Sequence, residues 1–230
     1  MNIQIKHYVD GSILFEYDKE DNTISETLRE AARQGISLRG AELSFYNIDC
    51  VGLHDVDLRK AQFELSRIYN TNFYGTDLRG ANFKRAIIIE SSFDKANLLG
   101  ANFKDSKIYS CHLEEALNVP DGQIPLACPS DGAFIGWKKV YNALVKLQIP
   151  ADAKRSSATT QKCRCSKAKV LAITDLETDE SLKTILNNGY GETWYEVGKM
   201  VYPDAFDSNR WNECSNGIHF FIDKQDAINY

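Results

Sequence analysis

The sequence has little that would carry it to or across a membrane. Its start, MNIQIKHYVDGS, lacks the apolar run of a signal peptide. No uncharged apolar stretch approaches the roughly 18 residues of a membrane span. Charge of one sign is missing too: 27 Lys and Arg stand against 32 Asp and Glu, for a net charge of −5. Residues 1–35 carry 4 basic against 7 acidic side chains, residues 36–117 carry 10 against 11, and residues 118–230 carry 13 against 14. Without a basic patch, direct DNA binding is not expected. Without a continuous negative surface, imitation of DNA is disfavoured. A catalytic set is also lacking, since His7, His54, His112 and His219 are scattered along the chain. No catalytic residue and no cofactor is assigned. Six cysteines in a chain without an export signal are expected to be reduced. With 43% apolar and 26% charged residues, a soluble cytoplasmic protein is the expectation.

What the sequence does have is a five-residue period. In TNFYGTDLRGANFKRA (71–86), Phe73, Leu78 and Phe83 fall five apart, each preceded two residues earlier by Thr71, Thr76 or Ala81. Five matches neither the 3.6 of a helix nor the 2 of a strand. The register holds from Leu38 to Leu113, sixteen consecutive positions that are all Leu, Ile or Phe. Their companions two residues earlier are mostly small, and the other three positions are mainly polar. One large and one small inward residue, with three outward, describe one short side of a square coil. Sixteen such sides make four coils of twenty residues. Stacked at the inter-strand spacing, these form a rod about 19 Å tall in which neighbouring coils bury one another.

GTDLRGANFKRA and KANLLGANFKDS match the motif A(D/N)LXX, and over about 82 of the 230 residues the chain resembles the pentapeptide-repeat family. The resemblance implies a right-handed quadrilateral β-helix and specifies little about activity, because such solenoids host many roles. It also implies an end-to-end homodimer, which a second domain at one end would block. A rod end exposes apolar surface and unpaired backbone, so it needs a cap. Within residues 1–35, IQIKHYV and SILFEY flank the hairpin signal Asp10-Gly11. In NTISETLREAARQG, Thr23 and Glu26 fit a capping box, Ile24, Leu28 and Ala31 form an apolar stripe, and Gly35 fits the stop. A hairpin and helix sealing the first coil is the reading; an acidic docking surface is the alternative. Downstream the register fails after Leu113, and NVPDGQIP places a linker at 118–123.

Residues 124–230 lack the period and read as a separate α+β domain. GAFIGWKKVY, ALVKLQI, AKVLAITDL, TWYEVGKMVY and GIHFFI are strand-like. ESLKTILNNG (180–189) reads as a short helix stopped by Gly189, and DKQDAINY (223–230) as a terminal one. The segment KRSSATTQKCRCSKAK (154–169) holds six basic residues and no acid. Lys154, Arg155, Ser156, Ser157, Thr159 and Arg164, with His219, form the expected ligand set, since loop hydroxyls, backbone amides and guanidinium groups suit a phosphate or nucleotide. The alternative is a solvated charged loop. Cys163-x-Cys165 with Cys214 and His219 offers four soft ligands, but zinc sites usually space their cysteines more widely. Structural thiols are the preferred reading, and no metal is expected.

NGIHFFIDKQDAINY (216–230) is similar to a segment of the ADP-ribosyltransferase superfamily through Gly217, Ile218, Phe220, Ala227 and Tyr230, with FIGWKKV (134–140) as the early nucleotide-contacting strand. That resemblance implies a nucleotide site without catalysis. The superfamily's catalytic glutamate follows this segment, whereas Glu192 and Glu196 precede it. The arrangement as a whole also resembles pentapeptide proteins of phages and prophages. The resulting expectation is a non-enzymatic binding protein in the host cytoplasm. Its rod would present faces to a host protein, and its second domain would recognise a nucleotide or phosphorylated small molecule, as in a host-directed inhibitor or anti-defence protein. The alternatives are a DNA-mimic inhibitor of a topoisomerase such as gyrase and an ADP-ribosyltransferase-like enzyme. The first is weakened by Arg59, Lys60, Arg67, Arg79, Lys84, Arg85 and Lys104 at outward rod positions.

Overall fold

The computed structural model describes residues 1–189 and 192–230. The chain divides into two compact units, Met1–Pro125 and Leu126–Tyr230.

In the first unit the five-residue period becomes a four-sided β-helix. On one side of each coil lies a three-residue strand. These strands are β3 (Asn47–Asp49), β4 (Arg67–Tyr69), β5 (Ile87–Ile89) and β6 (Lys107–Tyr109), parallel and paired residue for residue with the next coil. The other sides are joined by single parallel bridges such as Asp57↔Asp77, Asp77↔Asn97 and Gln62↔Asn82. The large inward residues stack in four columns. Ile48, Ile68, Ile88 and Ile108 lie beneath the strands, where β-branched side chains fit best. Leu38, Leu58, Leu78 and Leu98 face them. Phe63, Phe83 and Phe103 fill a third column with ring centroids 4.7 and 4.8 Å apart, and Phe73 and Phe93, 4.8 Å apart, the fourth. The rings therefore stack at the pitch of the backbone ladder. Between the two columns they meet edge to face at 5.9 to 6.2 Å.

Each corner is turned by a residue in the left-handed region. From Gly40 to Ser110 every fifth residue has positive φ, and only Gly40, Gly75, Gly80 and Gly100 of these are glycine. The Asp or Asn of the repeat supports the turn. Asp57, Asn72, Asp77, Asn82, Asn97 and Asn102 each accept a hydrogen bond from the backbone N–H two residues on. Asp57 and Asp77 also take both ends of the Arg59 and Arg79 guanidinium groups at 2.7 and 2.8 Å. Arg59 holds the half-buried Asp57 carboxyl down to about 2.

The N-terminal end is closed by β1 (Asn2–Lys6), β2 (Ile13–Asp18) and α1 (Ile24–Arg33). Strand β1 runs on into the first coil through the bridge His7↔Ala41 and the bond from Glu42 N–H to Lys6 O. The Thr23 side chain caps α1 by accepting from Glu26 N–H, whereas the Glu26 carboxylate turns to Lys19 and Arg29 instead of completing a capping box. Gly35, at φ 67°, stops the helix with paired bonds from Gly35 N–H to Ala32 O and Ile36 N–H to Ala31 O. At the other end Gln123, twenty residues after Phe103, satisfies the Phe103 N–H with its side-chain carbonyl at 2.6 Å.

The second unit is antiparallel throughout. One sheet runs in the order β14 (Met200–Val201), β11 (Ala168–Asp175), β8 (Ala143–Ile149), β7 (Phe134–Val140). A smaller sheet runs β15 (Ile218–Phe220), β10 (Cys163–Cys165), β9 (Arg155–Ser157). A hairpin of β12 (Thr184–Asn187) and β13 (Thr193–Glu196) and the helix α2 (Lys224–Asn229) complete it. Val145, Leu147, Ile149, Val170 and Ile173 of the larger sheet share a core with Cys163, Cys165, Ile218 and Phe220 of the smaller. Gly136 is needed at their contact, because a Cβ there would lie 2.6 Å from the Phe220 ring. The helix expected at 180–189 is instead β12. Leu182 and Ile185 have helical spacing, but both pack on the core, and Ile185 pairs with the buried Tyr195 across the hairpin. Tertiary pairing overrides the local preference here.

Two outcomes follow for the rod. Phe83→Ala removes a ring packed against four others and should cost about 3–5 kcal/mol, measurable by denaturant unfolding. Asp57→Ala should cost about 1 kcal/mol, while Asp57→Asn, which keeps the turn acceptor, should cost less. The carboxylate's contribution is present above its unfolded value and is lost as pH falls toward about 2. The stability gap between wild type and Asp57→Asn should therefore close in acid.

Candidate functional site

The basic segment 154–169 is not a solvated loop. It supplies β9 and β10, and Ser156, Ser157, Thr159, Lys162 and Arg164 are all buried. Pairing fixes which side chains share a face. Arg164 lies opposite both Ser156 and His219, so these three form a row across one face of the small sheet. Cys165 lies opposite Arg155, and Cys163 opposite Ser157, on the face turned to the core. Arg155 and His219 thus do not converge.

The guanidinium groups expected to meet a ligand hold backbone instead. Arg155 donates to the carbonyls of Pro129, Gly132, Pro150 and Ala151 at 2.8 to 3.2 Å and lies over the Phe134 ring. Arg164, 1% exposed, donates to the carbonyls of Asp207, Asn209 and Asn216 at 2.8 to 3.2 Å and faces the Phe206 ring. It is a post around which the segment 206–216 is wound, and the bond from Asp207 N–H to Asn216 O closes that loop. Gly217 follows at φ 147°, where a Cβ would press on the Arg164 Cβ at 3.2 Å. Of the remaining expected residues, Lys154 is exposed, Ser157 Oγ accepts from Ala127 N–H, and Thr159 is buried and bonded.

Two lysines the sequence reading left out stand beside His219. Lys162 shares the face of Arg164 and is 7% exposed. Its ammonium reaches Cys214 Sγ at 3.2 Å and Tyr230 Oη at 3.0 Å. Burial opposes its charge, but the hydrogen bonds it donates to Tyr230 and Cys214 outweigh that, and its pKa is raised. Lys138, half-buried on β7, has its pKa pushed down to about 8 by burial and then by the charge of Lys162. His219 is pushed down to about 4 by burial and then by Lys162 and Lys138, and its Nε2 lies 3.2 Å from Glu213 O. The imidazole is neutral at pH 7. Among the described residues no side-chain carboxylate forms an ion pair with either ammonium. The Lys162 ammonium thus has uncharged hydrogen-bond partners, the exposed Cys214 and Tyr230, and lies near enough to Lys138 for its charge to be felt there. The signal for this arrangement was the alternation Lys162-Cys163-Arg164-Cys165, which sends the cations to one face and the thiols to the other.

Elsewhere, a cavity of about 650 Å³ opens beside the N-terminal cap, lined by Tyr17, Glu26, Arg29, Glu30, Arg33 and His54. Its guanidinium groups are spent on Glu26 and Glu30. Among the described residues no group of three or more His, Cys, Asp or Glu is arranged to hold a metal, and no helix is long and apolar enough to cross a membrane.

Residues 47–85 match the family of pentapeptide repeats, in 8 copies, and residues 124–227 match a family of unknown function, DUF5758. The first unit thus carries pentapeptide repeats, and the carboxy-terminal domain is one of unknown function. No curated protein matches it. A pentapeptide repeat protein from the cyanobacterium Cyanothece 51142 is 26% identical over 34% of this chain and 57% of its own, with a TM-score of 0.27. One from the thylakoid lumen of Arabidopsis thaliana is 24% identical over 30% of this chain and 45% of its own, with a TM-score of 0.18. HetL of Nostoc sp. strain PCC 7120, a pentapeptide repeat protein involved in heterocyst differentiation regulation, is 22% identical over 36% of this chain and 43% of its own, with a TM-score of 0.19. The chain thus spans about half the length of these structures.

The role of Arg164 as a post has a measurable consequence. Arg164→Met strands three carbonyls, each worth about 1–3 kcal/mol when unsatisfied, so a loss of about 3 kcal/mol or more is expected in denaturant unfolding. Arg164→Lys should restore little, because an ammonium cannot reproduce the planar fork.

Proposed function

We propose that this is a non-enzymatic binding protein whose rod is a rigid platform for a protein partner and whose carboxy-terminal domain takes a phosphorylated small molecule or nucleotide. The observation that carries the reading is the pair Lys138 and Lys162, near enough that Lys162 lowers the pKa of Lys138, with no carboxylate ion-paired to either among the described residues and a neutral His219 beside them. Like charges kept close and partly desolvated are costly, and an anion bound between them offsets that cost. Phosphate oxygens suit the arrangement, with Lys162 and Lys138 as donors and Tyr230 at the rim. Arg155 and Arg164, by contrast, are committed to backbone carbonyls.

The rod's charge favours a protein partner over imitation of DNA. Arg59 and Arg79 neutralise Asp57 and Asp77 on the outer surface, which breaks up any row of negative charge. The resemblance to phage and prophage proteins supplies a host-directed setting for such a platform.

Calorimetric titration with inorganic phosphate and with nucleoside mono- and triphosphates tests the site. Binding is expected, weakened about tenfold or more by Lys138→Met with Lys162→Met, as loss of charge-assisted hydrogen bonds requires. It should also weaken as pH rises through about 8, where Lys138 loses its proton. The absence of heat with every one of these anions, or unchanged binding in the folded double variant, would overturn the reading. Stability runs the other way. Because the folded value for Lys138 is depressed from 10.5 to about 8, the unfolded chain holds that proton more tightly, and the ligand-free protein should gain stability through this window.

A further inference from the structure

We propose that Cys128 and Cys163 form a redox-responsive dithiol, which a hydroperoxide closes into a disulfide across the core face of the small sheet. The two thiols come from distant parts of the chain and lie in one buried core, 5% and 0% exposed, each the leading influence on the acidity of the other. Their meeting is built rather than incidental. Ser157, directly opposite Cys163, accepts the Ala127 N–H at 2.8 Å, while Arg155 holds the Pro129 and Gly132 carbonyls at 3.2 and 3.0 Å. These anchors lie on either side of Cys128 and tie it to β9, the strand paired with β10. Cys163 Sγ also lies 3.5 Å from the Gln161 carbonyl.

The two sulfurs are not equivalent. Cys128 is the more acidic, because it accepts the hydrogen bond from Cys163 and, against burial, feels the charge of Arg155; Cys163 is shifted upward by the same bond and by burial. Cys165, on the same face, is pushed up to about 12 by burial. Cys128 also leads into the exposed turn 129–133, so a small opening of that turn admits a peroxide. In the first step the Cys128 thiolate attacks the peroxide, the O–O bond breaks, and Cys128 becomes a sulfenic acid with release of hydroxide or alkoxide. In the second, Cys163 sulfur attacks the sulfenic sulfur, its proton joins the departing hydroxyl as water, and the S–S bond forms. Overall, two thiols and one hydroperoxide give one disulfide, one water, and one alcohol or a second water.

The test is peptide mapping of the full chain after treatment with hydrogen peroxide, alkylation and digestion without reductant. A cross-linked pair containing Cys128 and Cys163, lighter by two hydrogens, is expected. The oxidised protein should also unfold at a higher temperature, and dithiothreitol should reverse both changes. Cys128→Ser and Cys128→Ala should abolish the link, and Cys165→Ser should leave it intact. Full alkylation of Cys128 and Cys163 under conditions that oxidise the exposed Cys50 and Cys214 would overturn the proposal, as would a link mapped to any other pair.

Discussion

A backbone that turns left-handed at every fifth residue is the constraint on which the first unit rests. Each such corner costs an L-residue about 1 kcal/mol, and the rod contains one from Gly40 to Ser110 without a break. The corners persist because the next coil holds them, through ladder bonds such as Leu65 N–H to Lys84 O and Lys60 N–H to Arg79 O. Once the corners are fixed, the coil pitch is fixed, and the phenylalanine rings stack at the distance the backbone sets. Backbone ladder and side-chain column are then one cooperative object.

The carboxy-terminal unit handles charge differently. The rod pairs its arginines with neighbouring carboxylates at the surface, where such pairs contribute little. The second unit buries Arg164 on carbonyl oxygens and seats Lys162 on a thiol and a phenol. Carbonyls satisfy the Arg164 donors, and the carboxylates of Asp207 and Glu213 favour its charge from a distance. At β10 the alternation puts Lys162 and Arg164 on one face and Cys163 and Cys165 on the other, where Arg155 of β9 is their cationic neighbour.

Most of the rod was legible because its message is carried by side-chain size at fixed spacing, from Leu38 to Leu113. The corners were not, since Phe45, Cys50, Leu65 and Arg85 give no sign of a left-handed backbone; the fold imposes it on them. In the second unit the Lys, Arg and hydroxyl content of 154–169 suggests a ligand loop, whereas the strand alternation puts Lys162 and Arg164 on one face. His219 lies directly opposite Arg164, but the guanidinium's work on the Asp207, Asn209 and Asn216 carbonyls depends on a loop more than forty residues away. No local pattern encodes that meeting.

Because the rod's partners are always twenty residues apart, its length is quantised. Adding or removing twenty residues leaves every column intact. A change of five preserves the inward register but turns the chain's exit by one side, pairing isoleucine columns with phenylalanine ones. A change of one residue reverses inside and outside for everything beyond it. Gene duplication can therefore lengthen such a rod smoothly, whereas small insertions are tolerated only where the coil has already ended, near Gln123.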